Sequence, residues 1–215
     1  MIQYPDQRVG IFIDVQNLYY SARHLFQRKV NFGAIVEEST SGRKLIRAIA
    51  YVVRTKTGEE APFIEALQSK GLETRERELL EYTSGQKKAD WDVGMTVDIV
   101  KMLDMLDVII IVSGDGDFVP LVEYCQSRGR QVEVWSFRES SSGKLVEAVD
   151  RYLDLSSNQK KFLIGAPART SAPKAGVKQR VEDDVVSEIG EFEVAGHDDE
   201  PEEKIEERRG RKMTF

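Results

Sequence analysis

The chain has 215 residues, a formal net charge of −6, 40% hydrophobic and 32% charged residues, which predicts a soluble chain of one domain with a tail, or of two small domains. No apolar run approaches the roughly 18 residues of a membrane helix, and the first residues lack the basic and apolar regions of a signal peptide. The single cysteine, Cys125, excludes an internal disulfide and favours a cytoplasmic protein, while two histidines offer little for a zinc site or a Ser-His-Asp triad.

The first predicted strand covers Arg8–Asp14, which is apolar and ends in an aspartate. Asn17 follows three residues later, where residues with the apolar spacing of a helix begin. Asn17 is open to two interpretations: it caps this helix, or it belongs to a polar site at the strand end. A short helix over residues 32–36 and a turn at Gly42 are expected next.

Residues 45–53 form the second predicted strand, and a helix that Gly71 ends as a C-cap follows it. Residues 72–82 alternate poorly and are rich in Arg and Glu, which predicts an edge strand or a strand leading into a mobile loop. Residues 83–88 are polar and are expected to be flexible.

The next helix opens at 89–92, and its two acids differ in predicted position. At about 100° per residue, Asp92 shares a face with Ile99 and Leu103, which places it toward the core at the helix start. Asp98 falls in the opposite, polar sector and is expected to be solvated. Asp92 is therefore the candidate functional acid of this helix.

The chain is organised around residues 107–118, where five consecutive apolar residues run into Ser-Gly-Asp-Gly-Asp. Such a run, bounded by turn residues, is typical of a strand buried on both faces of a parallel sheet. Gly114 and Gly116 permit a tight turn, so Asp115 and Asp117 emerge at the carboxyl end of a central strand. In the structural alternative, Asp117 caps the following helix and Asp115 stabilises the turn.

A last strand is predicted over 131–137, a short helix follows Gly143, and 152–155 closes the domain. Strands that alternate with helices predict a parallel-sheet, three-layer α/β/α sandwich of Rossmann-like type over residues 1–156. From residue 157 the composition changes: 160–180 carries six basic residues and no acids, whereas 182–207 carries thirteen acids and one lysine. Residues 157–215 are therefore predicted to be a disordered, charge-blocked tail.

The acids of two strand ends and one helix start can meet at one edge of such a sheet: Asp14, Asp92, Asp115 and Asp117. Four carboxylates in a small site repel one another unless a cation neutralises them. Mg²⁺ or Mn²⁺ suits such oxygen ligands. These ions activate water and stabilise a reacting phosphodiester, so the predicted chemistry needs no nucleophilic side chain.

Three segments in this order resemble the NYN domain of the PIN-like nuclease superfamily, in particular its LabA-like branch: Phe12–Leu18, Asp92–Asp98 and Ser113–Leu121. The resemblance covers about residues 8–155 and implies metal-dependent cleavage of RNA. It also implies that Asp14, Asp92, Asp115 and Asp117 hold the metal as catalytic residues, and that Asn17 positions a carboxylate or a phosphate. The family pattern carries a further acid at the position of Asp98, which keeps Asp98 as an additional candidate although the helical projection places it outside the site.

A single-stranded RNA reaching this acidic pocket needs cations and aromatic side chains around it. The residues expected to contact substrate are Ser113, Lys87, Lys88, Arg138 and Lys144. Arg54 and Lys56 are expected on the same edge, and Trp91, Tyr19 and Tyr20 are candidates for stacking on bases. In the alternative interpretation, the aromatics belong to the core and the cations only solubilise the chain.

The leading hypothesis is a cytoplasmic Mg²⁺- or Mn²⁺-dependent ribonuclease. One rival is a non-catalytic regulator that keeps the fold and acts through RNA or protein contacts. Another, a phosphatase of the haloacid dehalogenase type, is weakened because Asp14-Val15-Gln16 lacks the second acid of the D-x-D motif. A homodimer and a protein partner for the tail are further candidates, and no membrane association is expected.

Overall fold

The computed structural model describes residues 4–54, 60–78 and 91–165, and the backbone of 80–81 and 87–88. The strands are Arg8–Asp14 (β1), Lys29–Val30 (β2), Lys44–Arg54 (β3), Glu73–Glu78 (β4), Leu80–Glu81 (β5), Lys87–Lys88 (β6), Val108–Val112 (β7), Gln131–Ser136 (β8), Arg151–Asp154 (β9) and Leu163–Ile164 (β10). The α-helices are Val15–Phe26 (α1), Phe32–Thr40 (α2), Ala61–Gln68 (α3), Asp92–Met102 (α4), Val119–Ser127 (α5), Gly143–Ala148 (α6) and Gln159–Phe162 (α7). None of the helices described is long and apolar enough to cross a membrane.

Six strands form one parallel sheet in the order β4-β3-β1-β7-β8-β9. The predicted strands at 8–14, 45–53, 107–113 and 131–137 all lie in it, and β4 is an edge strand, as its charged sequence indicated. β1 pairs in parallel with β7 on one side and β3 on the other, with Ile13 opposite Val112 and Asp14 opposite Tyr51. The carboxyl ends of the three central strands therefore meet at one edge.

Alternation along β1 explains why helices cover both faces of the sheet. Val9, Ile11 and Ile13 are fully buried in one apolar cluster, to which α1, α2 and α3 contribute side chains. Phe12 is buried in a second cluster, on the other face, to which α4, α5 and α6 contribute. Every apolar side chain of β1 thus faces a helix layer, which confirms the predicted three-layer sandwich.

The folded domain continues past the predicted boundary at residue 156. Phe162 and Leu163 are each 3% exposed, and β10 pairs antiparallel with β2. The Arg28 guanidinium donates from Nη2 to the carbonyl oxygen of Leu163 at 2.9 Å. The prediction that the tail begins at 157 is corrected here, because two apolar residues inside a basic segment were not recognised as an element. The predicted tail beyond 165 lies outside the described residues.

A buried ion pair joins the start of β3 to β8. The Arg43 and Glu133 side chains are 1% and 0% exposed, and Arg43 Nη1 lies 2.8 Å from Glu133 Oε1. Arg151 on β9 lies 3.5 Å from the other carboxylate oxygen, to which the Trp135 indole N–H donates at 3.4 Å. Two guanidinium groups thus surround a carboxylate inside the sandwich, which the apolar strand pattern did not indicate.

The polar segment predicted at 83–88 is only partly described. Lys87–Lys88 forms β6, which pairs antiparallel with β5 directly after the edge strand. The segment is therefore anchored by a short hairpin on its carboxyl side. Residues 82–86 lie outside the described residues.

Candidate metal centre at the sheet edge

Three aspartates converge at the carboxyl edge of the sheet. Asp92, Asp115 and Asp117 each offer a carboxylate oxygen within 4.8 Å of the oxygens of the other two. Asp92 and Asp115 are partly buried, whereas Asp117 is exposed. Asp115 and Asp117 follow β7 closely, and Asp92 is the first residue of α4, which packs on the second face of the sheet.

This donor set fits a hard divalent cation. Three carboxylates at such separations repel one another, and a cation that accepts oxygen ligands removes that repulsion. The exposed Asp117 leaves the group open to solvent, so water can complete an octahedral set as Mg²⁺ requires. Asp92, Asp115 and Asp117 are therefore the residues that could hold a metal.

Asp14, the fourth predicted ligand, lies beside this group but is not a member of it. Its Oδ1 accepts the backbone N–H of Asn17 at 3.0 Å, and its Oδ2 accepts the Ser113 hydroxyl at 3.4 Å. Asp14, not Asn17, is thus the N-cap of α1. The structure gives Asp14 a connecting role between β1 and the β7 turn.

Burial raises the pKa of Asp14 to about 6, and the neighbouring charge of Asp115 acts in the same direction. The hydrogen bonds from Asn17 and Ser113 oppose the shift without cancelling it. The ionised carboxylate is therefore held at a cost in free energy wherever the site has no compensating positive charge.

Asn17 and Ser113 connect the end of β1 to the turn after β7. The Asn17 side-chain oxygen accepts the backbone N–H of Gly114 at 3.0 Å, and Ser113 Oγ accepts the N–H of Asp115 at 3.2 Å. Ser113 is 0% exposed, so the prediction that it contacts substrate is wrong. Its position directly after a fully buried strand keeps it inside, where it orients Asp14 and Asp115.

The turn itself depends on two close approaches of the backbone. A Cβ at Gly114 would lie 2.7 Å from the carbonyl oxygen of Ser140, and one at Gly116 would lie 2.8 Å from Ser142 Oγ. Asp115 Oδ1 accepts the N–H of Asp117 at 2.9 Å. Asp115 thus stabilises the turn, while Asp117, which the structural alternative made a cap, projects into solvent.

Asp98 lies away from the three acids, and its predicted solvation is wrong. The Tyr51 hydroxyl donates to Asp98 Oδ2 at 3.2 Å, and Arg75 Nε lies 3.7 Å from the same oxygen. The Asp98 side chain is only 25% exposed, because the edge of the sheet extends alongside this sector of α4. Burial, followed by the Asp98 charge, raises the pKa of Tyr51.

Trp91 is partly buried and packs against one of the two apolar clusters, which favours the alternative that it belongs to the core over stacking on a base. Its indole N–H donates to the carbonyl oxygen of Val52 at 3.0 Å. The Tyr51 ring lies 5.3 Å away, and the Arg77 guanidinium stands 4.6 Å over the indole. Tyr19 and Tyr20 instead form an edge-to-face pair at 5.5 Å on α1, with Tyr20 38% exposed.

Of the cations expected around the acids, the structure describes the side chains of Arg54, Arg138 and Lys144. Arg138 and Lys144 are exposed, and the Arg138 guanidinium lies 5.9 Å from the Tyr152 ring. Arg54 forms an ion pair with Glu76 at 2.9 Å. The side chains of Lys87 and Lys88, and all of Lys56, lie outside the described residues.

Comparison with known proteins identifies the domain type. The model of the NYN domain family matches residues 8–156. The chain is 28% identical over 159 residues to the low amplitude and bright protein LabA of Synechococcus elongatus, covering 69% of this chain and 83% of that protein. It also superposes on a protein of unknown function, VPA0982 from Vibrio parahaemolyticus, with a TM-score of 0.68 and 28% identity, covering 76% of this chain and 100% of that one.

Proposed function

Because the chain belongs to the NYN domain family, we propose that it is a metal-dependent ribonuclease that hydrolyses RNA phosphodiesters. The observation that carries the proposal is the group of three carboxylates, Asp92, Asp115 and Asp117, within 4.8 Å of one another at the strand ends. The position matters, because open α/β sheets bind ligands outside the carboxyl ends of their strands. No histidine, cysteine or serine nucleophile is required for this chemistry.

The chain's own residues divide into two roles in this proposal. Asp92, Asp115 and Asp117 would hold Mg²⁺ or Mn²⁺, which when bound supplies a nucleophilic water and charge stabilisation for the phosphate. Asp14 uses both carboxylate oxygens on protein donors, so it orients the turn that carries Asp115. Asn17 completes that connection through Gly114.

Contacts to the substrate would come from cationic and aromatic side chains around the three carboxylates. Arg138, directly after β8, and Lys144, at the start of α6, are exposed, so phosphate groups approaching the strand ends can pair with them. Single-stranded RNA is the proposed substrate, because Tyr20 is exposed at one end of the pair it forms with Tyr19 and can stack on an unpaired base. A cytoplasmic location agrees with such a substrate.

A second candidate function is that of a non-catalytic regulator. It is favoured because several side chains expected to contact RNA are buried or are engaged with other protein groups. Ser113 is buried, Trp91 is covered by Arg77, and Arg54 is paired with Glu76. A chain with fewer cations and stacking residues could use the same edge for protein contacts or weak RNA binding. Metal-dependent turnover separates the two functions.

The test incubates purified full-length protein with a mixed RNA pool, with and without Mn²⁺, beside two isosteric variants. Asp115→Asn removes a negative ligand, and loss of such a transition-state contact costs roughly a hundredfold or more in rate. Asp104→Asn, a matched loss of charge at an 89% exposed side chain, should cleave like the parent. Cleavage by Asp115→Asn at the parental rate would overturn the proposal, and RNA binding without Mn²⁺-dependent products would favour the regulator.

A further inference from the structure

We propose that Trp91 is the positioning residue of the metal centre: its indole fixes the start of α4 against the sheet and thereby holds Asp92 near Asp115 and Asp117. This inference rests on the proposed metal site. It goes beyond that site because Trp91 is not one of the three carboxylates and acts through the acid that follows it in the chain.

Asp92 differs from the other two acids in how it is held. Asp115 and Asp117 share one turn, in which Ser113 bonds to Asp14 at the end of β1 and Gly114 bonds to Asn17 in the first turn of α1. Asp92 arrives on a separate helix, so its distance from them depends on where α4 begins. A misplacement of about 1 Å in such a constellation is enough to weaken its function substantially.

Among the described residues, no side-chain cap is seen at the start of α4. Trp91 occupies the N-cap position without a side-chain hydrogen bond to the helix, whereas Asp14 and Asn31 cap α1 and α2 with their side chains. The Trp91 side chain instead bonds to β3, through its indole N–H and the Val52 carbonyl oxygen at 3.0 Å. This bond ties the residue next to Asp92 to a strand adjacent to β1.

The partly buried indole ring contacts side chains of the sheet and of α4. Tyr51 packs beside it at 5.3 Å, and Arg77 stands 4.6 Å over it. On the helix side the ring lies against Gly94, where a Cβ would come within 2.7 Å and 3.0 Å of two ring carbons. Glycine is less favourable in a helix than alanine. At position 94, however, the absence of a Cβ leaves the space that the indole ring occupies.

Two variants test the proposal, each measured for Mn²⁺ affinity by isothermal titration calorimetry on the full chain. Trp91→Phe keeps an aromatic ring and deletes the N–H donation to Val52. Gly94→Ala keeps Trp91 and displaces its ring. Trp135→Phe is the matched control, because it also deletes a buried indole donation, to Glu133 on the other face of the sheet.

We expect both test variants to weaken Mn²⁺ binding by about tenfold or more, the usual effect of removing a group that orients a metal ligand. Trp135→Phe should lower the melting temperature and leave the Mn²⁺ affinity unchanged. In a Trp91→Ala background, Gly94→Ala should cause no further loss, because the group with which the new Cβ collides is gone. Melting in metal-free buffer sets a titration temperature at which every variant is folded.

The outcomes separate this inference from the function on which it rests. Parent protein that binds no Mn²⁺ overturns the metal site and the role of Trp91 together. Parent protein that binds, with Trp91→Phe and Gly94→Ala binding equally well, overturns only the role of Trp91. Additive losses for Trp91→Ala and Gly94→Ala would also overturn it, since the two positions would then act independently.

Discussion

Replacing Asp14 with Asn shows how much the ionised Asp14 carboxylate lowers the free energy of unfolding of the metal-free protein. Asn keeps an oxygen that can accept the N–H of Asn17, so the cap of α1 survives. The variant loses ionisation, which depends on pH, and the second oxygen that accepts the Ser113 hydroxyl, a loss that does not depend on pH. In the parent, burial and the charge of Asp115 raise the Asp14 pKa from 3.8 to about 6, and the folded state therefore prefers the protonated carboxyl.

The sign of the pH dependence follows from proton uptake. Between pH 3.8 and about 6 the folded parent holds more protons on Asp14 than the unfolded chain does, so its free energy of unfolding falls as the pH rises through this window. The difference between the two pKa values corresponds to about 3 kcal/mol. Asp14→Asn lacks this loss, and its stability relative to the parent should rise by about that amount between pH 4 and pH 7.

Urea denaturation of both proteins at several pH values, in buffer with a metal chelator, measures this difference directly. Asp107→Asn is a control of opposite sign, because the Arg8 guanidinium lowers the Asp107 pKa to about 2. That variant should be less stable than the parent at neutral pH, and the deficit should shrink on acidification. A stability difference between Asp14→Asn and the parent that stays constant over the whole range would refute the reasoning.

Further predictions concern packing and the tail. Glu133→Gln leaves the buried Arg43 guanidinium and the partly exposed Arg151 guanidinium without their carboxylate, and it should cost about 3–5 kcal/mol in urea denaturation at neutral pH. Gly114→Ala places a Cβ 2.7 Å from the carbonyl oxygen of Ser140, and it should lower the stability by about 1–3 kcal/mol and weaken Mn²⁺ binding measured by calorimetry. Deletion of residues 181–215 removes the acidic block and should tighten RNA binding at low salt, whereas deletion of 166–215 should weaken it, as filter binding at two salt concentrations would show.

The parallel sheet could be predicted because a strand that is buried on both faces has apolar residues at consecutive positions. β1 and β7 are apolar at every interior position, so the pattern indicated strands covered by two helix layers. The turn after β7 could also be predicted, since Gly114 and Gly116 indicate a backbone that other atoms approach closely. Parallel strands then place Asp14 and Asp115 at one edge without further information.

Features that depend on contacts between distant elements could not be predicted. Helical projection alone treats the polar sector of α4 as solvent, whereas β3 and β4 bring Tyr51 and Arg75 to Asp98. The ion pair of Arg43 and Glu133 joins residues 90 positions apart, and one acid within an apolar strand gives no indication of its partner. The bond from Trp91 to the Val52 carbonyl is of the same kind.

Some polar residues of the site hold the turn after β7 in place, whereas others could bind the metal. This difference bears on whether related chains are enzymes. Asp14 and Asn17 form a recognisable D-x-x-N segment, yet their side chains hold a cap and a neighbouring turn in place. A chain that kept this segment and lost Asp92 would retain the connection between β1 and β7 and lose one carboxylate of three. Such a chain should fold and should bind divalent metal weakly, because the remaining carboxylates offer a smaller set of oxygen ligands. If the three carboxylates bind metal as proposed, the acid on α4 is therefore the position at which a metal-dependent enzyme and a non-catalytic relative should differ.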